Sequence, residues 1–132
     1  MTFNPLDFLT VAENLHQNGK LEAEFHTLVG RAYYALFLVA RDRLFPSAVP
    51  PRSIRRRAAR GRAKDIPIHK AVLDEVSRRN SAVGGKFERL HVLRITADYY
   101  RQPQDTTMLD WRANAQEALL ISRNIVKRIC SI

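Results

Sequence analysis

The chain is short of several things at once, and each shortage closes a route. Its one cysteine, Cys130, has no second thiol with which to form an internal disulfide. No apolar run approaches the roughly 20 residues of a membrane helix. Nothing alternates apolar and polar residues with the two-residue period of a strand, and no internal repeat is present. Cys-x-x-Cys and His-Glu-x-x-His are both missing. His16, His26, His69 and His91 fall on separate expected helices, so the pattern argues for neither a metal nor another cofactor. Gly-rich phosphate loops of either common type are absent, and Gly84-Gly85 reads as a turn before a helix. Residues Met1 to Pro5 carry neither a basic start nor an apolar run, so no signal peptide is expected. These shortages together predict a soluble cytoplasmic protein that does not enter a membrane.

Acidic residues are scarce as well. Asp plus Glu number 13 against 22 Lys plus Arg, a formal net charge of +9 and a sequence pI ≈ 10.4. Arginine outnumbers lysine, and its planar fork suits phosphate oxygens. The balance points to a polyanionic partner, with nucleic acid ahead of an acidic protein or a membrane surface.

What is present is helical. At 132 residues, 45% hydrophobic and 27% charged, the chain fits one globular domain spanning 1–132 with a core of its own. The stretch from Leu21 to Phe45 dominates it. Phe25, Leu28, Val29, Ala32, Tyr33, Leu36, Phe37, Ala40 and Leu44 recur with three-four spacing, the mark of one helical face that other helices must cover. Arg31 and Tyr34 interrupt or flank that stripe, where a bundle would bury or half-bury them, and a buried guanidinium needs partners. Before it, Asn4-Pro5 opens a first helix bearing Leu6, Phe8, Leu9, Ala12 and Leu15, which Asn18-Gly19 ends. After it, Asp65 can cap a third helix with Ile68, Val72 and Val76. A fourth follows Gly84-Gly85 with Phe87, Leu90, Leu93 and Ala97, ending at Gln102-Pro103. A fifth, with Thr107 and Asp110 as a capping box, carries Trp111, Ala115, Ala118, Leu119, Ser122, Ile125, Val126 and Ile129. The expected fold is all-α: an antiparallel up-and-down helical bundle of four main helices plus a shorter one.

Between Pro46 and Pro67 the apolar pattern stops. A basic Pro/Arg-rich loop at about 46–66 contains Arg52, Arg55, Arg56, Arg57, Arg60, Arg62 and Lys64 without an intervening acid. As a helix it would have no face to bury. It is either a solvated loop or an arm that orders on a polyanion, and these basic residues are the candidate nucleic-acid contacts.

The fourth helix supplies the candidate chemistry. His91, Arg94 and Asp98 share one face at spacings of three and four, and Tyr99 and Tyr100 follow. Such groups can hold a phosphodiester and move a proton; the plainer alternative is an ordinary Arg94–Asp98 helix pair with His91 beside it. Gly30-Arg31-Ala32-Tyr33-Tyr34-Ala35-Leu36-Phe37 resembles the Ser-Arg-Ala-Tyr-Tyr-Ala-x-Phe signature of prokaryotic HEPN-domain proteins. Leu93-Arg94-Ile95-Thr96-Ala97-Asp98-Tyr99 resembles their Leu-Arg-x-x-Ala-Asp-Tyr segment. The resemblance implies a homodimeric bundle whose polar groups meet at the interface. It also implies RNA as a partner, in a toxin-antitoxin or defence system often paired with a small nucleotidyltransferase antitoxin. Many members are metal-independent RNases with an arginine, four to six residues, then a histidine. Here the histidine position after Arg94 is taken by Asp98 or Tyr99, so an RNase of this chain would use a modified site of Arg31, His91, Arg94 and Asp98. The alternative is a non-catalytic partner subunit of a nucleotidyltransferase, binding nucleotide or protein, with Tyr99 or Tyr100 open to nucleotide modification.

Overall fold

The computed structural model describes residues 4–44, 68–99 and 110–131, with the side chain of Tyr99 outside that description. Five helices run through these residues, and no strand occurs among them. They are α1 (Leu6–Asn18), α2 (Glu22–Leu44), α3 (Ile68–Arg79), α4 (Ser81–Tyr99) and α5 (Trp111–Ile129). The fold is the antiparallel up-and-down bundle, with α2 at its centre against all the others.

Local chemistry sets the helix ends. Asn4 accepts the backbone N–H of Leu6 on its Oδ1 at 3.0 Å, and Pro5 is already helical at φ −55° and ψ −26°. At the far end of α1, the Gly19 N–H donates to the Leu15 carbonyl at 2.8 Å. A Cβ on Gly19 would collide with that carbonyl, so glycine lets the chain turn at once into α2. The Glu24 carboxylate then reaches back to the N–H groups of Leu21, at 3.1 Å, and Lys20, at 3.2 Å. Backbone donors at Leu21 and Lys20 hold its pKa below the usual carboxylate value.

Every apolar residue expected on the inner face of α2 is buried. Leu28, Val29, Ala32 and Leu36 show no exposure, and they meet Val72, Val76, Phe87, Leu90, Leu93, Leu119 and Ile125 from the surrounding helices. Ser122 of α5 brings a polar group into this layer and donates to the Ala32 carbonyl of α2 at 3.0 Å, so its hydroxyl is satisfied in the dry interior.

Some expectations need correcting. Gly84 and Gly85 lie inside α4, which starts at Ser81 behind an Asn80 side chain that accepts the Val83 N–H at 3.1 Å. Gly84 is there because α3 passes close by; a Cβ would sit 2.6 Å from Ser77 Cα. Asp110 does not close a box opened at Thr107. It caps α5 itself, accepting the Ala113 N–H at 3.0 Å. Thr107, Asp65 and the Gln102-Pro103 stop lie outside the described residues. Leu6 and Ile68, placed on inner faces by spacing, are more than a third exposed, each in the first turn of its helix where neighbouring helices no longer cover it.

Candidate functional site

Of the four groups singled out on α2 and α4, Arg94 pairs with Asp98, Asp98 shares a recess with Arg31, and His91 lies against Tyr33. Arg94 is the hub. Its guanidinium lies over two aromatic rings of α2, 5.6 Å from the Tyr33 centroid and 5.4 Å from the Tyr34 centroid. Its Nη2 donates to Tyr34 Oη at 3.2 Å, and its Nε stands 3.0 Å from Asp98 Oδ2. That Nε–H is buried and not aligned for a hydrogen bond with any acceptor, so Asp98 holds Arg94 by charge more than by hydrogen-bond geometry. The side chain of Arg94 is 14% exposed and that of Asp98 38%. The pair therefore sits at the lip of the core, where neither the full solvent screening of a surface pair nor the desolvation penalty of a deep one applies.

Asp98 also joins Arg31. Both line a recess of about 210 Å³ together with Thr27, Gly30 and Tyr34. Gly30 forms part of its floor, and a side chain there would meet nothing within 4 Å. Contrary to the sequence expectation, Arg31 is exposed. Its place on α2 turns it to the edge of the buried stripe, where it stacks on the Phe8 ring of α1 at 5.4 Å. This arrangement covers apolar surface while keeping the charge in water. The recess thus presents one cation directly, with Arg94 behind its carboxylate and tyrosine walls.

His91 lies one turn before Arg94, its ring 5.4 Å from that of Tyr33. Tyr33 also meets His69 of α3, a residue not among the expected site residues. Tyr33 Oη and His69 Nδ1 are 2.8 Å apart, and the His69 ring stacks on Phe37 at 4.0 Å between centroids with the planes 16° apart. Both histidines are held below the ordinary imidazole pKa: by burial first, then by the positive charge of Arg94, with His91 adding to the effect at His69 and Glu88 opposing it at His91. Burial pushes the Tyr33 phenol above its usual value, against the pull of Arg94. At neutral pH the site therefore combines two uncharged imidazoles, a protonated phenol and a fixed guanidinium. That set can accept a proton, donate hydrogen bonds and bind an anion.

The remaining expected residues fall elsewhere. Arg52, Arg55, Arg56, Arg57, Arg60, Arg62, Lys64 and Tyr100 lie outside the described residues, and Tyr99 is described only as the last residue of α4. His26 of α2 has a bracing role, its Nδ1 2.9 Å from the Ala97 carbonyl and its ring 4.1 Å from Trp111. Among the described residues no three His, Cys, Asp or Glu side chains converge as a metal site would need, and no helix is long and apolar enough to cross a membrane. A groove of about 460 Å³ between α4 and α5, with Lys86, Leu120, Ile121 and Arg128 on its walls, contains no histidine or tyrosine.

No family model matches the chain, and no solved structure matches it. A segment of 41 residues is 51% identical to the uncharacterized protein MJ0628 of Methanocaldococcus jannaschii, covering 30% of this chain and 25% of that protein. The match thus takes in about a quarter of the length of the curated relative.

Proposed function

We propose that this chain is a HEPN-like RNA-binding protein of a toxin-antitoxin or defence type, with Arg94 at the centre of a phosphodiester site. One observation carries the reading: a guanidinium fixed over Tyr33 and Tyr34 stands beside two imidazoles, His91 and His69, whose lowered pKa values leave them uncharged. The segments that carry the HEPN resemblance, Gly30 to Phe37 of α2 and Leu93 to Tyr99 of α4, supply Tyr33, Tyr34 and Arg94 to this contact. The net charge of +9 supplies the general attraction to RNA.

The same groups support cleavage without a metal ion. A ring nitrogen of His91 takes the proton of an RNA 2′-hydroxyl as that oxygen attacks the adjacent phosphorus. The bond from phosphorus to the 5′-oxygen breaks, and the departing oxygen takes a proton from water. Arg94 balances the charge gathering on the phosphoryl oxygens, and Asp98 keeps Arg94 in place. RNA incubated with the protein in EDTA tests this. Wild type is expected to cleave, while Arg94→Ala and His91→Ala lose about 100-fold or more in rate. Equal or absent cleavage in all three removes the catalytic reading.

A second reading has its own observation. Arg94 is already engaged by Asp98 and by Tyr34, the state of a guanidinium that shapes a surface rather than one awaiting substrate. On this reading the chain is the non-catalytic partner of a small nucleotidyltransferase, holding nucleotide or protein. Co-expression with the neighbouring gene product is then expected to give co-purification, and a nucleotide's added mass on Tyr99 or Tyr100. The homodimer implied by the resemblance is checked by light scattering.

A further inference from the structure

The phenol of Tyr33 decides something about His69 that the distance alone does not. Tyr33 is 1% exposed, and its hydroxyl has one hydrogen-bond partner among the described residues, His69 Nδ1 at 2.8 Å. If His69 carried its proton on Nδ1 and donated to the phenol oxygen, the phenol hydrogen would be left in the core without an acceptor. An orphaned buried donor costs about 1–3 kcal/mol in general. If instead the phenol donates to Nδ1, every polar atom of the contact is satisfied. The neutral imidazole must then carry its proton on Nε2.

That outer nitrogen has no hydrogen-bond partner among the described residues, and among them His26 Nε2 and Arg94 Nε are the ring and guanidinium nitrogens both unpartnered and fully buried. The ring cannot easily turn, because Phe37 lies flat against it at 4.0 Å. His91 differs in lacking such an anchor. Neither of its ring nitrogens has a hydrogen-bond partner among the described residues, so its tautomer is not fixed by one.

We propose that His69 is a binding residue for a phosphoryl oxygen: Tyr33 holds its ring as the Nε2–H tautomer, presenting a fixed donor at the Tyr33–Tyr34 pair that Arg94 also contacts, while His91 alone handles the proton. The inference rests on the phosphodiester reading and adds to it a third recognition group, from α3, with Tyr33 as the positioning residue behind it. A neutral imidazole N–H is far too weak an acid to be the proton source for a leaving group, so the role of His69 is to bind and orient.

Two measurements separate this proposal from the reading beneath it. Nitrogen NMR of the imidazoles in the unliganded protein near pH 7.5 is expected to show His69 as the Nε2–H tautomer, and Tyr33→Phe to lose that fixed pattern. The phenylalanine ring still fills the space beside Phe37 and Phe87, so the fold survives the change. Binding of a short 2′-O-methyl RNA, which cannot cleave itself, is expected to weaken about tenfold in His69→Ala. His69→Gln, with an amide N–H close to the position of Nε2–H, is expected to recover part of the loss. An Nδ1–H tautomer in wild type, or wild-type binding by His69→Ala, overturns the proposal while cleavage dependent on Arg94 and His91 still stands. A wild type that binds no such RNA removes the phosphodiester reading, and the donor role falls with it.

Discussion

Arg94 acts on its neighbours through charge as well as contact, and this makes its removal readable at other residues. The guanidinium disfavours protonation of His69 and of His91, so Arg94→Ala is expected to raise both imidazole pKa values in an NMR titration. Unmoved values would mean that burial alone sets them. The same two histidines give the bundle a pH dependence of known sign. In the unfolded chain they titrate near the ordinary imidazole value of 6.5, whereas in the folded protein their pKa values are lower. Above pH 6.5 neither state is protonated and nothing is lost. As pH falls below 6.5 the unfolded chain binds protons that the folded one resists, and stability declines until the folded values are passed. Urea midpoints are therefore expected to drop between pH 7.5 and pH 5; a flat or rising midpoint contradicts this account of the site.

Among the helices, α4 distinguishes what sequence can say from what it cannot. The inner face of α2 was legible because a three-four spacing held over many turns has one physical explanation. The two glycines of α4 were not, since a Gly-Gly pair reads locally as a turn. Only Ser77 on the neighbouring helix explains why Gly84 belongs inside a helix. Opposite outcomes are expected at adjacent positions as a result. Gly84→Ala drives a Cβ into Ser77 and is expected to destabilise by about 1–3 kcal/mol. Gly85→Ala meets nothing within 4 Å and is expected to stabilise by about 0.5–1 kcal/mol through helix propensity. Thermal melts of the two variants check this, and equal shifts would contradict the packing described. The candidate site was half legible for a related reason. His91, Arg94 and Asp98 share a helix face and could be found by counting, but His69 joins them through Tyr33, 36 residues away in sequence, and Tyr34. Arg31 shares a recess with Asp98 but is more exposed than its spacing implies, because spacing near the edge of a stripe does not fix burial.

For the whole molecule, the proposed function makes the basic excess and the Arg94 cluster separable contributors to RNA binding. Affinity from the basic stretch is electrostatic and insensitive to sequence, so it falls steeply with salt. Reversing the charge at Arg55, Arg56 and Arg57 is expected to weaken RNA binding and to reduce the slope of log affinity against log salt by about 2 for single-stranded RNA. Unchanged binding would remove the basic stretch from the account. On the same proposal the Arg94 cluster fixes where a phosphodiester comes to rest. The most direct test is a chemical-shift map of the protein titrated with a short 2′-O-methyl RNA. The account predicts that the largest shifts fall on Gly30 to Tyr34, on His69, and on His91 to Asp98. Shifts confined to the groove of Lys86, Leu120 and Arg128, with the His91 and Arg94 signals unmoved, would contradict it.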